Sequence, residues 1–107
     1  MIVEYIRYRI PDGRDEAFLA DYGRAAHVLE RAPQCLDYEL SRSVDEPACH
    51  VLRITWTSAE DHLKGFWGGD LFPDFLAAIR PDGHRPELIE HHTRLLTALV
   101  GALAAGV

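Results

Sequence analysis

The run from Val51 to Phe75, VLRITWTSAEDHLKGFWGGDLFPDF, leaves this chain few folds. It opens as a strand, with Leu52, Ile54 and Trp56 on one face and Val51, Arg53 and Thr55 on the other. Ser58 follows almost at once as a helix cap, with Asp61 three residues on as a capping-box-like partner. The helix it starts carries His62 and Phe66, and Gly68-Gly69 breaks it. A further helix, Pro73 to Ile79, is expected to bury Phe72, Phe75, Leu76 and Ile79. A helix that begins two residues after Trp56 must fold back over the face on which Trp56 lies. Trp56, Phe66 and Trp67 therefore either line a small pocket or pack as core.

The rest of the chain supplies the partners of that unit. Ile2, Ile6, Tyr8 and Ile10 alternate with Tyr5, Arg7 and Arg9, the pattern of a strand with one apolar face. Pro11-Asp12-Gly13 turns the chain into a helix from Asp15 to Arg31, striped by Phe18, Tyr22, Ala25, Ala26 and Leu29. Ala32-Pro33-Gln34 ends it. A second strand, Cys35 to Ser43, sets Leu36, Tyr38 and Leu40 against Asp37, Glu39 and Ser41. The loop 44–48 makes a hairpin with the third strand, His50 to Thr57. Arg80-Pro81-Asp82-Gly83 reads as a loop and Glu87 to Thr93 as a fourth strand. The order β-α-β-β-α-β is the ferredoxin-like one, an α+β fold with both helices on one face of an antiparallel sheet.

The other sheet face would carry Val3, Tyr5, Arg7, Arg9, Asp37, Glu39, Arg53 and Thr55. Water alone explains the charges but not the apolar members. A two-fold contact with a second copy explains both, so a homodimer is expected. Residues 1–94 read as one domain. Residues 95–107 read as an apolar tail whose Leu95, Leu96, Leu99, Val100 and Leu103 suit a docked helix.

The 107 residues suffice for a single core. A net charge of −6, from 17 acidic and 11 basic residues, argues against a nucleic-acid partner. No secretory leader is visible, and the tail is too short to span a bilayer, so no membrane partner is expected. Cys35 and Cys49 fall at opposite ends of the hairpin, too far apart to bond, which suits reduced thiols in the cytoplasm. There is no CxxC or HExxH spacing, and the adjacent His91 and His92 point to opposite faces of a strand. No metal site is expected on these grounds.

Three residues are candidates for chemistry. A free imidazole can take a proton at neutral pH, which makes His62 a candidate base; a first-turn helix His in water is the rival reading. Glu4 shares the parity of Ile2 and Ile6 and so points to the helix side, unless the strand's start leaves it exposed. Burial there would raise its pKa, as a general base needs. Trp56 offers an indole N–H. Ile6, Tyr22, Tyr38, Leu52, Ile54, Phe66 and Trp67 are the candidate substrate-binding residues, set between the sheet and the two later helical segments. Either His91 or His92 must face the helices, and the sequence leaves both open. His27 reads as a solvated helix residue.

IVEYIRYRIPDGRDEAFLADY, APQCLDYELSRS and VLRITWTSAEDHLKGF together resemble the antibiotic biosynthesis monooxygenase family. The markers are the Pro-x-Gly turn after strand one, the P-x-C-L-x-Y-E-L second strand, and W-x-S with a His six residues after the Trp. The resemblance covers roughly residues 1 to 94. It implies a dimeric α+β barrel, two ferredoxin-like units joined sheet to sheet, with a pocket between sheet and helices in each subunit. It also implies oxygenation of aromatic compounds without metal or flavin. The family's Trp at the end of strand three matches Trp56. Its Asn four residues earlier is Leu52 here, and its Tyr six residues later is His62. The heme-degrading members need an Asn where Ile6 stands, a Trp where Gly65 or Phe66 falls and a His where Leu76 falls, so no heme is expected. Two functions follow: a cofactor-independent monooxygenase for an electron-rich aromatic or quinol-like compound, or a non-catalytic dimeric ligand-binding domain.

Overall fold

Alternation along the first segment gives strand β1 (Ile2–Arg9), and the apolar stripe of the second gives helix α1 (Asp15–Arg31). The hairpin follows as β2 (Cys35–Arg42) and β3 (Cys49–Trp56). Next come a π-helix (Asp61–Trp67), helix α2 (Phe72–Ile79) and strand β4 (Pro86–Thr93). The computed structural model describes residues 1–79, 85–98 and 100. The loop expected at Arg80–Gly83 lies outside the described residues, as do Leu99 and Leu103 of the tail.

The four strands form one antiparallel sheet in the order β2-β3-β1-β4. This is the ferredoxin-like α+β arrangement the sequence implies. Acidic Asp15 and Glu16 in the first turn of α1, and Arg31 in its last, oppose the ends of the helix dipole. Gly13 takes φ +84° in the preceding turn, a conformation that only glycine adopts without strain. Helix α1 buries Phe18, Tyr22, Ala25, Val28 and Leu29 against Ile6, Tyr8, Leu52 and Ile54 of the sheet. The π-helix and α2 close the same face, placing Phe66 and Phe75 over Trp56 and Tyr22. Gly68-Gly69 ends the π-helix as expected. A Cβ on Gly69 would lie 2.2 Å from the Gly65 carbonyl oxygen, so the chain turns back there too tightly for any side chain.

Two local expectations change. Leu36 does not share a face with Tyr38 and Leu40. The register slips between Cys35 and Asp37, so Leu36 sits on a bulge and is 48% exposed, and Cys35 packs against the core in its place. Residues 95–98 form no helix, and Leu95 and Leu96 are 92% and 93% exposed.

The open sheet face finds its charge partners within the chain. Arg53 pairs with Asp37 at 3.1 Å and Glu39 at 3.9 Å, and Arg7 and Arg9 each reach Glu87 at 3.2 Å. Arg53 and Arg94 donate to the Thr55 hydroxyl, and Val3 and Thr55 are buried. A groove of about 630 Å³ runs over this face, floored by Tyr5, Arg53 and His92 and walled by Leu88, Leu95 and Leu96. Cys35 and Cys49 are both free thiols. Among the described residues, no helix is long and apolar enough to cross a membrane.

Candidate active site

Glu4 is the residue around which the helix side of the sheet is organised. The antiparallel register sets it opposite Ile54 of β3 on one side and His91 of β4 on the other. Residues directly opposite share a face, so the register settles which histidine turns inward: His91 does, and His92 packs on Tyr5 across the sheet. Trp56 lies diagonally from Glu4, and its indole Nε1 donates to Glu4 Oε1 at 3.0 Å. His62 comes from the π-helix. The Asp61 N–H donates to Ser58 Oγ at 3.0 Å and the His62 N–H to the Ser58 carbonyl at 3.1 Å, which starts that helix directly over Trp56. The His62 ring then stacks on the Trp56 indole, 4.5 Å between centroids. Its Nε2 stands 3.3 Å from Glu4 Oε2, and His91 Nε2 stands 3.3 Å from the same oxygen.

The candidates Glu4, Trp56 and His62 therefore meet at one place, joined by His91. Glu4, Trp56 and His62 are only 1–2% exposed, and the His91 side chain is 41% exposed at the rim. Neither ring nitrogen of His62 has a well-directed hydrogen-bond partner. A buried imidazole without one is uncommon. The segment that carries it is itself unusual, since π-helical turns occur mainly where function distorts a helix.

The electrostatics of Glu4 reverse one expectation. Burial pushes its carboxyl pKa up, as expected. But the His62 contact and charge, the Trp56 N–H and the His91 charge together outweigh burial and hold it below its ordinary value. Glu4 is thus an ionised carboxylate at neutral pH, suited to steadying a protonated histidine. The Trp56 N–H is committed to Glu4 and is not free to point at a ligand.

The remaining candidates divide. Ile6, Ile54 and Phe66 pack in the core around Trp56. Trp67, 48% exposed, covers the outer edge of His62 with ring centroids 5.8 Å apart. Tyr22, Tyr38 and Leu52 line an apolar cavity of about 160 Å³ between α1 and the β2–β3 hairpin. The Tyr22 hydroxyl bonds to that of Tyr8, and burial, reinforced by that neighbour, raises its pKa well above the usual tyrosine value. The Tyr38 hydroxyl donates to Glu30 at 2.6 Å. His27 is a solvated helix residue, 3.6 Å from Glu30. Sequence reasoning put Tyr8 on the apolar face of β1 but missed its hydroxyl contact with Tyr22, and it missed the buried Asp21, which is paired to Arg24. The inward parity of Tyr8 and the i,i+3 spacing of Asp21 and Arg24 were the available signals.

The fold has close counterparts. A Bordetella bronchiseptica protein assigned to the antibiotic biosynthesis monooxygenases superposes with a TM-score of 0.76 at 23% identity, over 89% of this chain and 97% of that one. SnoaB of Streptomyces nogalater, a cofactor-independent oxygenase, superposes with a TM-score of 0.73 at 20% identity, over 90% of this chain and 94% of its own. In sequence, the uncharacterised protein YczJ of Bacillus subtilis is 24% identical over 79 residues, 74% of this chain and 83% of that protein. The sequence pattern that defines the antibiotic biosynthesis monooxygenases matches residues 1–78, which hold Glu4, Trp56 and His62, and the chain belongs to that family.

Proposed function

We propose that the protein is a small cofactor-independent monooxygenase acting on an electron-rich aromatic or quinol-like compound. The observation that carries this reading is the buried Glu4 carboxylate flanked by two imidazoles, at 3.3 Å each. In this reading His91, at the rim, accepts a proton from the substrate, and ionised Glu4 stabilises the resulting imidazolium. His62 and Trp56 fix the carboxylate and hold the site dry. The substrate anion is electron-rich enough to reduce dioxygen itself. A ring CH₂ becomes C=O: one oxygen atom enters the substrate, and the other leaves as water with the two hydrogens. The substrate thus supplies all four electrons that reduce dioxygen, and the reading calls on no resident cofactor.

The acting unit in this proposal is residues 1–94, as a cytoplasmic homodimer joined through the open sheet face, with 95–107 as an appended tail. The part-exposed Tyr5 and Leu88 on that face, beside exposed Leu95 and Leu96, support the dimer. Light scattering should give twice the chain mass, and Arg53→Glu should lower it toward one. A second reading, a non-catalytic ligand-binding domain, draws on Leu52, which is buried and apolar where the oxygenases resembled by this chain carry a polar side chain. Oxygen uptake by the purified protein with a panel of quinols and anthrones separates the two. Uptake with one oxygen atom recovered in the product supports the oxygenase. No uptake across the panel, with a ligand still bound, supports the binding domain.

A further inference from the structure

We infer that Glu4, His62 and His91 form a binding site for a divalent transition-metal ion of the zinc class. One ligand atom from each, a Glu4 carboxylate oxygen and a ring nitrogen of each histidine, lies within 4.8 Å of the others. Both carboxylate-to-imidazole separations are 3.3 Å. Ligands bound at roughly 2.0–2.1 Å to one tetrahedral ion stand about 3.3 Å apart, so these separations suit a shared metal as well as they suit hydrogen bonds. His62 decides between the two. It is 2% exposed, yet neither of its nitrogens makes a well-directed hydrogen bond, although Glu4 Oε2 is within reach. A nitrogen that aims beside an oxygen at this distance, rather than at it, has the placement of a second ligand to one ion.

The surroundings are those of a metal site. Glu4 Oε1 is held by the Trp56 indole at 3.0 Å, which fixes the direction of Oε2 toward the two histidines, as outer partners of metal ligands do. The stacked Trp56 indole holds the His62 ring in place. His91 stands at the half-exposed rim, where it can close on an ion and where solvent supplies an entry path and a further coordination position. Two imidazoles with one carboxylate favour zinc, cobalt or nickel over magnesium and calcium, which require mostly oxygen ligands. The cluster escapes a search for short sequence spacings because its members come from β1, the π-helix and β4.

The consequence for activity rests on the function proposed above. A bound ion occupies the nitrogen lone pairs that would take the substrate proton, so it would inhibit the oxygenase. Binding itself does not depend on that reading.

The test uses the full chain stripped with chelator and titrated with Co²⁺. Visible d–d bands saturating at one ion per chain and bleached by one equivalent of Zn²⁺ are expected. Glu4→Gln and His91→Ala should each weaken affinity by about 100-fold or more. His92→Ala, on the other sheet face, should leave it unchanged. Circular dichroism confirms that each variant is folded; Glu4→Gln keeps the buried shape, and His91 is half exposed. Absence of bands at saturating Co²⁺, parental affinity in folded His91→Ala, or displacement of Co²⁺ by Mg²⁺ as readily as by Zn²⁺ overturns the site. Oxygen uptake by the metal-free protein is read separately. Cobalt bands without turnover on any substrate support the metal site and fail only the oxygenase reading. Turnover without cobalt bands fails only the metal site.

Discussion

The indole N–H of Trp56 donates to Glu4 Oε1 at 3.0 Å, and both side chains are almost wholly buried. This bond ties the end of β3 to the start of β1 and decides which carboxylate oxygen is left to face the histidines. A hydrogen bond to a buried charge contributes about 1.5–3 kcal/mol. Trp56→Phe should therefore destabilise the fold by more than that, since ring volume is lost as well. The charge-assisted part of the bond is read by a cycle with Glu4→Gln, whose carbonyl oxygen can still accept from the indole. Chemical denaturation of the two single variants and the double should give a coupling of about 1 kcal/mol or more. Strict additivity would mean that the carboxylate charge adds nothing to the contact.

Two glycines should respond in opposite directions to alanine. At Gly69 a methyl group meets the Gly65 carbonyl oxygen at 2.2 Å, backbone that cannot swing aside. Gly69→Ala should cost about 1–3 kcal/mol through displacement of the turn after the π-helix. Gly23, exposed on α1, has nothing within 4 Å of the added carbon. Gly23→Ala should stabilise by about 0.5–1 kcal/mol, from helix propensity and a less flexible unfolded chain. Thermal or urea unfolding reads both, and the sign of the difference is the result that matters.

The Cys35 thiol should be slow to react. Burial, with the Asp37 charge beside it, pushes its pKa from 9.0 up to about 11. The raised value means that the neutral thiol is the favoured form in the fold. The associated stability is complete below pH 9.0 and is lost as pH rises toward 11. Alkylation by iodoacetamide, followed by peptide mass spectrometry, should show Cys35 modified slowly at neutral pH. The rate should rise about tenfold per pH unit until the thiol ionises. A rate that levels off near pH 9 would show that the environment does not hold the proton.

The elements of this fold were legible because their signals are local. The alternation of Ile6 and Tyr8, the Phe18-to-Leu29 stripe and the Ser58 cap each act within a few residues. The parity of Glu4 with Ile6 likewise points it to the helix side, and the fold decides for burial over exposure at the strand's start. What stayed hidden depends on contacts distant in sequence. His91 and His92 are equivalent until β4 pairs with β1, and the slip in that pairing between Arg7 and Tyr8 cannot be read from either strand alone. The lowered pKa of Glu4 follows from His62, Trp56 and His91, which parity along β1 does not bring into view. Leu36 misled because one inserted residue on β2 reverses the facing of its neighbours, and apolar alternation does not reveal where the extra residue sits. Trp56 offers an indole N–H in the sequence, and only the pairing of β1 with β3 shows that Glu4 already holds it.

The two strand-four histidines give the sharpest test of the proposed chemistry. They are adjacent and chemically identical, yet His91 stands 3.3 Å from Glu4 and His92 packs on Tyr5 across the sheet. If His91 accepts the substrate proton, His91→Ala should lower kcat by about 10²–10⁴-fold. His92→Ala should stay near the parent in kcat, although it lies where a partner subunit would meet the sheet. His62→Ala removes the ring that packs Trp56 against Glu4, so it should act on kcat through the carboxylate's position and lower stability as well. Turnover is followed by oxygen uptake on chelator-treated protein, so that a bound metal does not obscure the comparison. Equal kcat in the His91→Ala and His92→Ala variants would remove the rim histidine from the reaction and return the site to the ligand-binding reading.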